Sequence, residues 1–314
     1  MESIYSEVIH WRRNCFTVPH GKAGREFVGE LSRLYLAFAS ASALETIALK
    51  AVTVLPILVL QKPHKASKAK EHIICLERRL RFWKEGNLSD MLLEGRAIQR
   101  RLPKTSTSKP AEKIARSFAN LMFAGKCKAA LDLLSDSGSR GLLHLHDYAD
   151  PSIPESPTVR EVLISKHPSC QMAYAKCILQ STPEETHPVV FESIDAHAIR
   201  SAAMNVHGSA GPSGIDAHGW KRLCTSFKEA SSDLCHSLAM VARRICTSYV
   251  DPKLISPLLA CRLIALDKNP GVRQIGIGDT VRRILAKAVL SVVKLGIQEA
   301  SGCLQMCGGQ ISGI

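Results

Sequence analysis

Residues 263–290 read LIALDKNPGVRQIGIGDTVRRILAKAVL, the one place where strand-like and helix-like patterns lie back to back. Two extended runs, Arg262 to Leu266 and Val272 to Ile277, flank Asp267, Lys268, Asn269, Pro270 and Gly271, which are turn formers. A β-hairpin is the expected product. From Thr280 to about Glu299 the apolar residues Val281, Ile284, Leu285, Ala288 and Val289 recur at helical spacing, with Arg282, Arg283 and Lys287 between them. The segment therefore predicts a short hairpin feeding a long helix.

Upstream, the loop HGSAGPSGIDAHGW (207–220) follows a helix expected near Ser193 to Val206, and helices are expected again at about Trp220 to Phe227 and Ser231 to Tyr249. Asp216 and His218 are expected to cap and start the helix after the loop. Toward the N-terminus, Phe27, Leu31, Leu34 and Leu36 begin a helical hairpin that ends near Gln61, with Pro56 expected to break or kink it. Residues 62–87 predict a basic amphipathic helix. Its stripe is Ile73, Ile74, Leu76, Leu80 and Trp83, amid Lys65, Lys68, Lys70, Arg78, Arg79, Arg81 and Lys84. That charge reads either as a solvated face or as a surface that tracks phosphates. A further helix is expected from Leu88 to Arg101.

The Pro and Ser/Thr run RRLPKTSTSKP marks a boundary, and AEKIARSFANLMFAGKCKAALDLLS (111–135) predicts two helices broken at Gly125. The organisation expected is a basic helical region (1–102), a linker with a helical pair (103–135), a polar connector (136–192) and a last region (193–314). One short helix, about Thr158 to Ser165, is expected inside the connector.

Composition narrows the class. Forty-one Lys and Arg against 28 Asp and Glu give a formal charge of +13, which favours a polyanionic partner through phosphate neutralisation and counterion release. Aromatic residues are 5% of the chain, so burial relies on Leu, Ile, Val and Ala, which suits helices. Eleven cysteines without a CxxC pair, and an N-terminus without an apolar leader, predict reduced thiols in an intracellular protein of the cytoplasm or nucleus. Cys303 and Cys307 lack a second ligand pair for zinc and are expected as small hydrophobes. AVTVLPILVL (51–60) is too short to span a bilayer, so no membrane partner is expected.

Three features occur in one order: AGPSGIDAHGW (210–220), the hairpin RLIALDKNPGVRQIGIG (262–278), and the helix TVRRILAKAVL (280–290) followed by GGQISG (308–313). This order resembles the fingers region of reverse transcriptases of non-long-terminal-repeat retroelements, where a loop like APGPDGI precedes a strand like LIPLPK, an RPIS segment and a QxG segment. The resemblance covers the last third of the chain. It implies a mainly α fold: a helical N-terminal region followed by an incomplete α+β fingers subdomain with a short hairpin.

It also implies roles. Lys268 and Arg273 would contact an incoming triphosphate, Gly276 and Gly278 would let backbone approach template or base pair, and Arg282 and Arg283 would add to the nucleic-acid surface. Fixed cations on a tight hairpin suit that task because little side-chain entropy is lost on binding. Gln274 stands where the family has proline. The family's metal-binding aspartates, including a Tyr-x-Asp-Asp turn, belong to a palm downstream of the fingers, so the expectation is a fragment that holds nucleic acid but does not polymerise DNA by itself. No cofactor is expected in this chain, and Mg2+ only with the palm. RNA or DNA is the expected partner, and a free nucleotide only in the complete enzyme.

Tyr148-Ala149-Asp150 imitates that turn, but Pro151 replaces its second aspartate and it precedes the fingers, so Asp147 or Asp150 is expected as a turn residue. His144 and His146 lack a third ligand, and Ser213 lacks an evident base. GxxxxGK[ST], HExxH and GxSxG are absent. The competing expectation is a basic helical interaction or scaffold protein that docks an acidic partner.

Overall fold

The structure is a computed structural model and describes residues 1–102, 111–135, 143–150, 153, 155–167, 187–268 and 271–301. Among these the protein is mainly helical, with one two-stranded antiparallel sheet. No described helix is long and apolar enough to cross a membrane. The GGQISG segment, Cys303, Cys307 and the Pro103 to Pro110 linker lie outside the described residues.

Two compact units divide the chain. The first takes the described residues of 1–102, 184–261 and 278–314; the second takes those of 103–183 and 262–277. Residues 1–102 and the last third, set apart in sequence, thus share one core in the first unit.

That unit is built around α2 (Lys22–Ala39), which packs against α3 (Glu45–Val59) and α11 (Glu229–Thr247). Phe27, Leu31, Leu34, Tyr35 and Phe38 fall on one face of α2 and are buried. Leu36, expected on that stripe, lies five positions from Leu31, well around the helix, and is 41% exposed. In α3 nearly every residue from Ala48 to Val59 is buried, so amphipathicity is lost and the helix is a core rod. Pro56 does not end it. The Leu60 N–H donates to Pro56 O at 3.1 Å and helical geometry runs on to Val59.

The basic helix α4 (Ala69–Lys84) buries Leu76, Leu80 and Trp83, whereas Ile74 is 65% exposed, off the stripe assigned to it. The face instead includes Arg79, which is 1% exposed. Its Nη1 donates to Val59 O at 3.1 Å and Gln61 O at 2.6 Å, and its Nη2 to Glu94 at 2.6 Å. A guanidinium therefore supplies donors to the end of α3, where main-chain carbonyls have no helical partner. Glu94 comes from α5 (Leu88–Arg101).

Three helical pieces were not expected. They are α1 (Glu2–Val8), a 3-10 turn at Pro188–Ser193, and α12 (Pro252–Leu259). The rest of this unit is α9 (Ala196–Met204), α10 (Ala217–Thr225) and α13 (Thr280–Ser301), with Ile284, Leu285 and Ala288 of α13 buried. Cys224 and Cys235 are small buried side chains here; Cys127 and Cys261 are exposed.

In the second unit α6 (Ala111–Phe123) and α7 (Cys127–Ser135) meet at Gly125, whose φ of 70° is the left-handed conformation that glycine adopts without strain. The helix α8 (Val159–Ser165) starts in a capping box. The Glu161 N–H donates to Thr158 Oγ1 at 3.3 Å and the Thr158 N–H returns to Glu161 Oε2 at 2.8 Å. The hairpin strands are β1 (Cys261–Asp267) and β2 (Val272–Gly278).

Candidate nucleic-acid interface

Ala265 of β1 and Val272 of β2 are buried with Val159 and Leu163 of α8, so one side of the hairpin rests on a small apolar cluster. Two bonds to its carbonyls fix it further: the Leu143 N–H donates to Ala265 O at 3.0 Å, and the Lys166 side-chain Nζ donates to Val272 O at 2.5 Å. The Lys268 N–H donates to Gly271 O at 2.9 Å and closes the turn. Lys268, Arg273, Gln274 and Gly276 are exposed. Neither Lys268 nor Arg273 has a carboxylate partner among the described residues.

Gly278, Arg282 and Arg283 belong to the first unit and meet a different environment. Gly278 is buried against the guanidinium of Arg282, whose Nη1 donates to Leu259 O at 3.2 Å. Arg283 donates to His207 O, to Ser209 O at 2.8 Å and to Thr280 Oγ1 at 2.9 Å. Both arginines hold main chain in place.

The glycine-proline loop is seated here. A Cβ on Gly211 would fall 2.5 Å from Asp279 Cα and 2.6 Å from Asp279 N, a contact only glycine permits. The Asp279 side chain, 4% exposed, accepts from the Ser213 N–H at 3.0 Å and the Val281 N–H at 3.3 Å. Thr280 Oγ1 donates to Ile215 O at 3.2 Å. One carboxylate thus satisfies a buried loop amide and a free amide at the start of α13. Asp216 caps α10 by accepting from the Gly219 N–H at 2.8 Å and also pairs with Arg13 at 2.8 Å. Burial would raise the Asp216 pKa, but its bonds to Gly219 and Arg13 outweigh that and lower it. Tyr35 moves the other way: burial, then the charge of Asp279, push its phenol well above the usual value.

No family model, curated protein or solved structure matches this chain. Local geometry is therefore what separates the residues singled out by resemblance.

Of those six, Lys268, Arg273 and Gly276 form an exposed group on one hairpin; Gly278, Arg282 and Arg283 form a packed group with the loop. Gly211 and Asp279 were missed, although an aspartate directly before a helical run is a capping signal. The Tyr-Ala-Asp imitation is structural. Tyr148 bridges to Thr158, the Ala149 N–H donates to Pro157 O at 2.9 Å, and the His144 N–H donates to Asp147 at 3.2 Å. On α4, Arg78 pairs with Glu94 and Lys84 with Glu26, while Arg81 and the preceding Lys65 and Lys68 are exposed. No three His, Cys, Asp or Glu side chains among the described residues gather as metal ligands.

Proposed function

We propose that this chain carries the N-terminal region and part of the fingers of a non-long-terminal-repeat retroelement reverse transcriptase. Its own part in that activity is to hold nucleic-acid backbone and the phosphates of a nucleotide. The single observation that supports this most is the hairpin turn closed by Lys268 and Gly271, with Lys268 and Arg273 exposed and paired with no carboxylate among the described residues. A rigid strand pair presents cations without the entropy cost of ordering a flexible loop. Support also comes from the loop at 207–216 being bonded to the start of α13, the helix that follows the hairpin in the resemblance. Bond-making would need the two divalent ions and the aspartates of the family's palm, so these residues are assigned binding alone.

Filter binding with single-stranded RNA tests this. Affinity should fall as salt rises, with a log–log slope of roughly 0.7 per phosphate neutralised. The Lys268→Glu/Arg273→Glu pair should weaken binding and flatten that slope. Unchanged affinity would refute the hairpin assignment.

The exposed lysines and Arg81 of the α4 region support a second proposal, a scaffold that docks an acidic partner. Charge reversal across Lys65 to Lys84 that abolishes RNA binding, with the hairpin variant silent, would favour it.

A further inference from the structure

The first unit contains a basic groove that no motif announced. Residues 14–16 run extended beside residues 60–62: the Phe16 N–H donates to Leu60 O and the Lys62 N–H to Asn14 O, both at 2.8 Å. Two cavities, of about 310 and about 110 Å3, adjoin along this segment and share Cys15 to Val18 and Arg222. The larger matches the lower end of small-molecule sites, roughly 300 Å3.

Its wall is cationic. Lys62 and Arg222 line the larger cavity and Arg13 the smaller, with the imidazoles of His72 and His218 among them. Arg222 donates to Val18 O at 3.1 Å and lies 3.0 Å from His20 Nε2, which holds its guanidinium at the wall. His72 is stacked on Phe16 with ring centroids 4.4 Å apart. Among the described residues the larger cavity has no carboxylate in its wall, and the smaller has only Asp216, already bonded to Arg13 and Gly219. Nearby Glu71 is engaged by His64 at 2.9 Å and by the Lys68 N–H at 3.4 Å. Lys65 and Lys68 stand exposed on the link into α4.

Lys62 and Arg222 face the larger cavity with no carboxylate among its described lining residues, and cations on a concave surface focus a positive potential that an anion lowers. Burial chiefly holds the His72 imidazole below its ordinary value; the charge of Lys62 adds to this and Glu71 opposes it. Hydrogen bonds at Asn14 O, Phe16 N and Val18 O hold this wall in place.

We infer that this groove is a phosphoester-binding site, distinct from the hairpin, that takes a phosphate of a single-stranded polynucleotide or of a free nucleotide. It stands on its own lining residues and does not require the reverse-transcriptase reading.

The test is an NMR titration of the His72 imidazole in the full chain, against inorganic phosphate, a mononucleotide and a single-stranded oligonucleotide in turn. An anion at the groove stabilises the charged imidazole, so the expected result is an upward shift of the His72 titration midpoint with at least one probe. Lys62→Glu should abolish the shift and Lys62→Gln reduce it, while Lys268→Glu/Arg273→Glu leaves it intact. A response to the oligonucleotide that exceeds the other two identifies a strand; a response to the small probes alone identifies a free nucleotide. If none of the three moves His72, or Lys62→Glu leaves the shift unchanged, the groove proposal is wrong. RNA binding that remains sensitive to the hairpin variant would then leave the proposed function standing. A Lys62-dependent shift beside a silent hairpin variant would retain the groove and remove the hairpin.

Discussion

In the first unit Arg79, Arg243, Arg244 and Arg283 turn their guanidinium groups onto main-chain carbonyls of Val59, Ile194, Phe38 and His207. In the second, Lys268 and Arg273 stand exposed on a strand pair only seven residues long on each side. The difference follows from what each core offers. Helices that meet end to side leave orphan carbonyls inside, and a planar fork of donors serves several at once. A hairpin satisfies its own main chain across the ladder and leaves its charged side chains for solvent or a ligand. In the second unit Lys166 makes a comparable contact on Val272 O. Formal charge is thus a poor measure of the charge the protein can offer a partner.

The largest effect expected is at Arg79. Replacing it by Met removes the donors to the α3 end and one of the two guanidinium groups on Glu94, which Arg78 still holds; breaking one side of a buried pair costs about 3 to 5 kcal/mol. Urea unfolding should show a loss near the lower figure, since Glu94 keeps 27% side-chain exposure. A loss under about 1 kcal/mol would mean the guanidinium contributes no more than an exposed ion pair.

Two glycines give a sharper contrast with opposite signs. Gly211→Ala drives a methyl against Asp279 backbone that cannot swing away, and should cost about 2 to 3 kcal/mol, the range of core overpacking. Gly29, inside α2 with nothing within 4 Å of a built Cβ, should gain up to about 1 kcal/mol from Gly29→Ala through helix propensity. Thermal melts of the pair settle whether close approach, and not glycine content, governs the loop.

What could be read beforehand divides along physical lines. The helices α2, α5 and α13 repeat apolar residues every three or four positions, and the hairpin is punctuated by its turn formers, so local rules suffice. By contrast α12 carried no expectation, although its start is marked in the sequence. Pro252 occupies the first helical position, with Asp251 accepting from the Lys253 N–H at 2.8 Å, a start signal open to reading. Arg79 shares a helical face with Leu76, Leu80 and Trp83, so its burial was also within reach. That Asp279 bonds the amide of Ser213, 66 residues away, was not, because no local pattern encodes which distant amide a carboxylate meets. The exposure of Lys268 and Arg273 followed from the hairpin; the loop-holding role of Arg283 did not.

Acid should show the next effect, in the first unit. Glu30 is 7% exposed, and burial would raise its pKa; hydrogen bonds from Arg33 and Trp83 outweigh this and lower it. Glu7 is lowered by its bond to Arg96, and Asp216 by its bonds to Gly219 and Arg13. Each folded pKa lies below the unfolded one, so the stability they contribute is present above the unfolded carboxylate range of roughly 4 to 4.5 and disappears as pH falls through the folded values. Denaturation midpoints should hold from pH about 7 to 5 and then drop. Arg33→Met should make that drop shallower, since Glu30 then titrates nearer its unfolded value; an unaltered slope would count against the Glu30 assignment.

The smallest effect on stability is expected where the effect on binding is greatest. Lys268 and Arg273 are exposed and bonded to no carboxylate among the described residues, so reversing both charges should move unfolding by no more than about 0.5 kcal/mol. The same change replaces two cations with two anions on a turn held by Gly271 O and backed by Ala265 and Val272, so no rearrangement of the hairpin can hide it from a phosphate strand. Parallel melts and filter binding on one preparation separate the two quantities. A variant that binds RNA normally would move the displayed charge away from the hairpin. One that unfolds by several kcal/mol would show that these cations, like Arg79, are part of the packing.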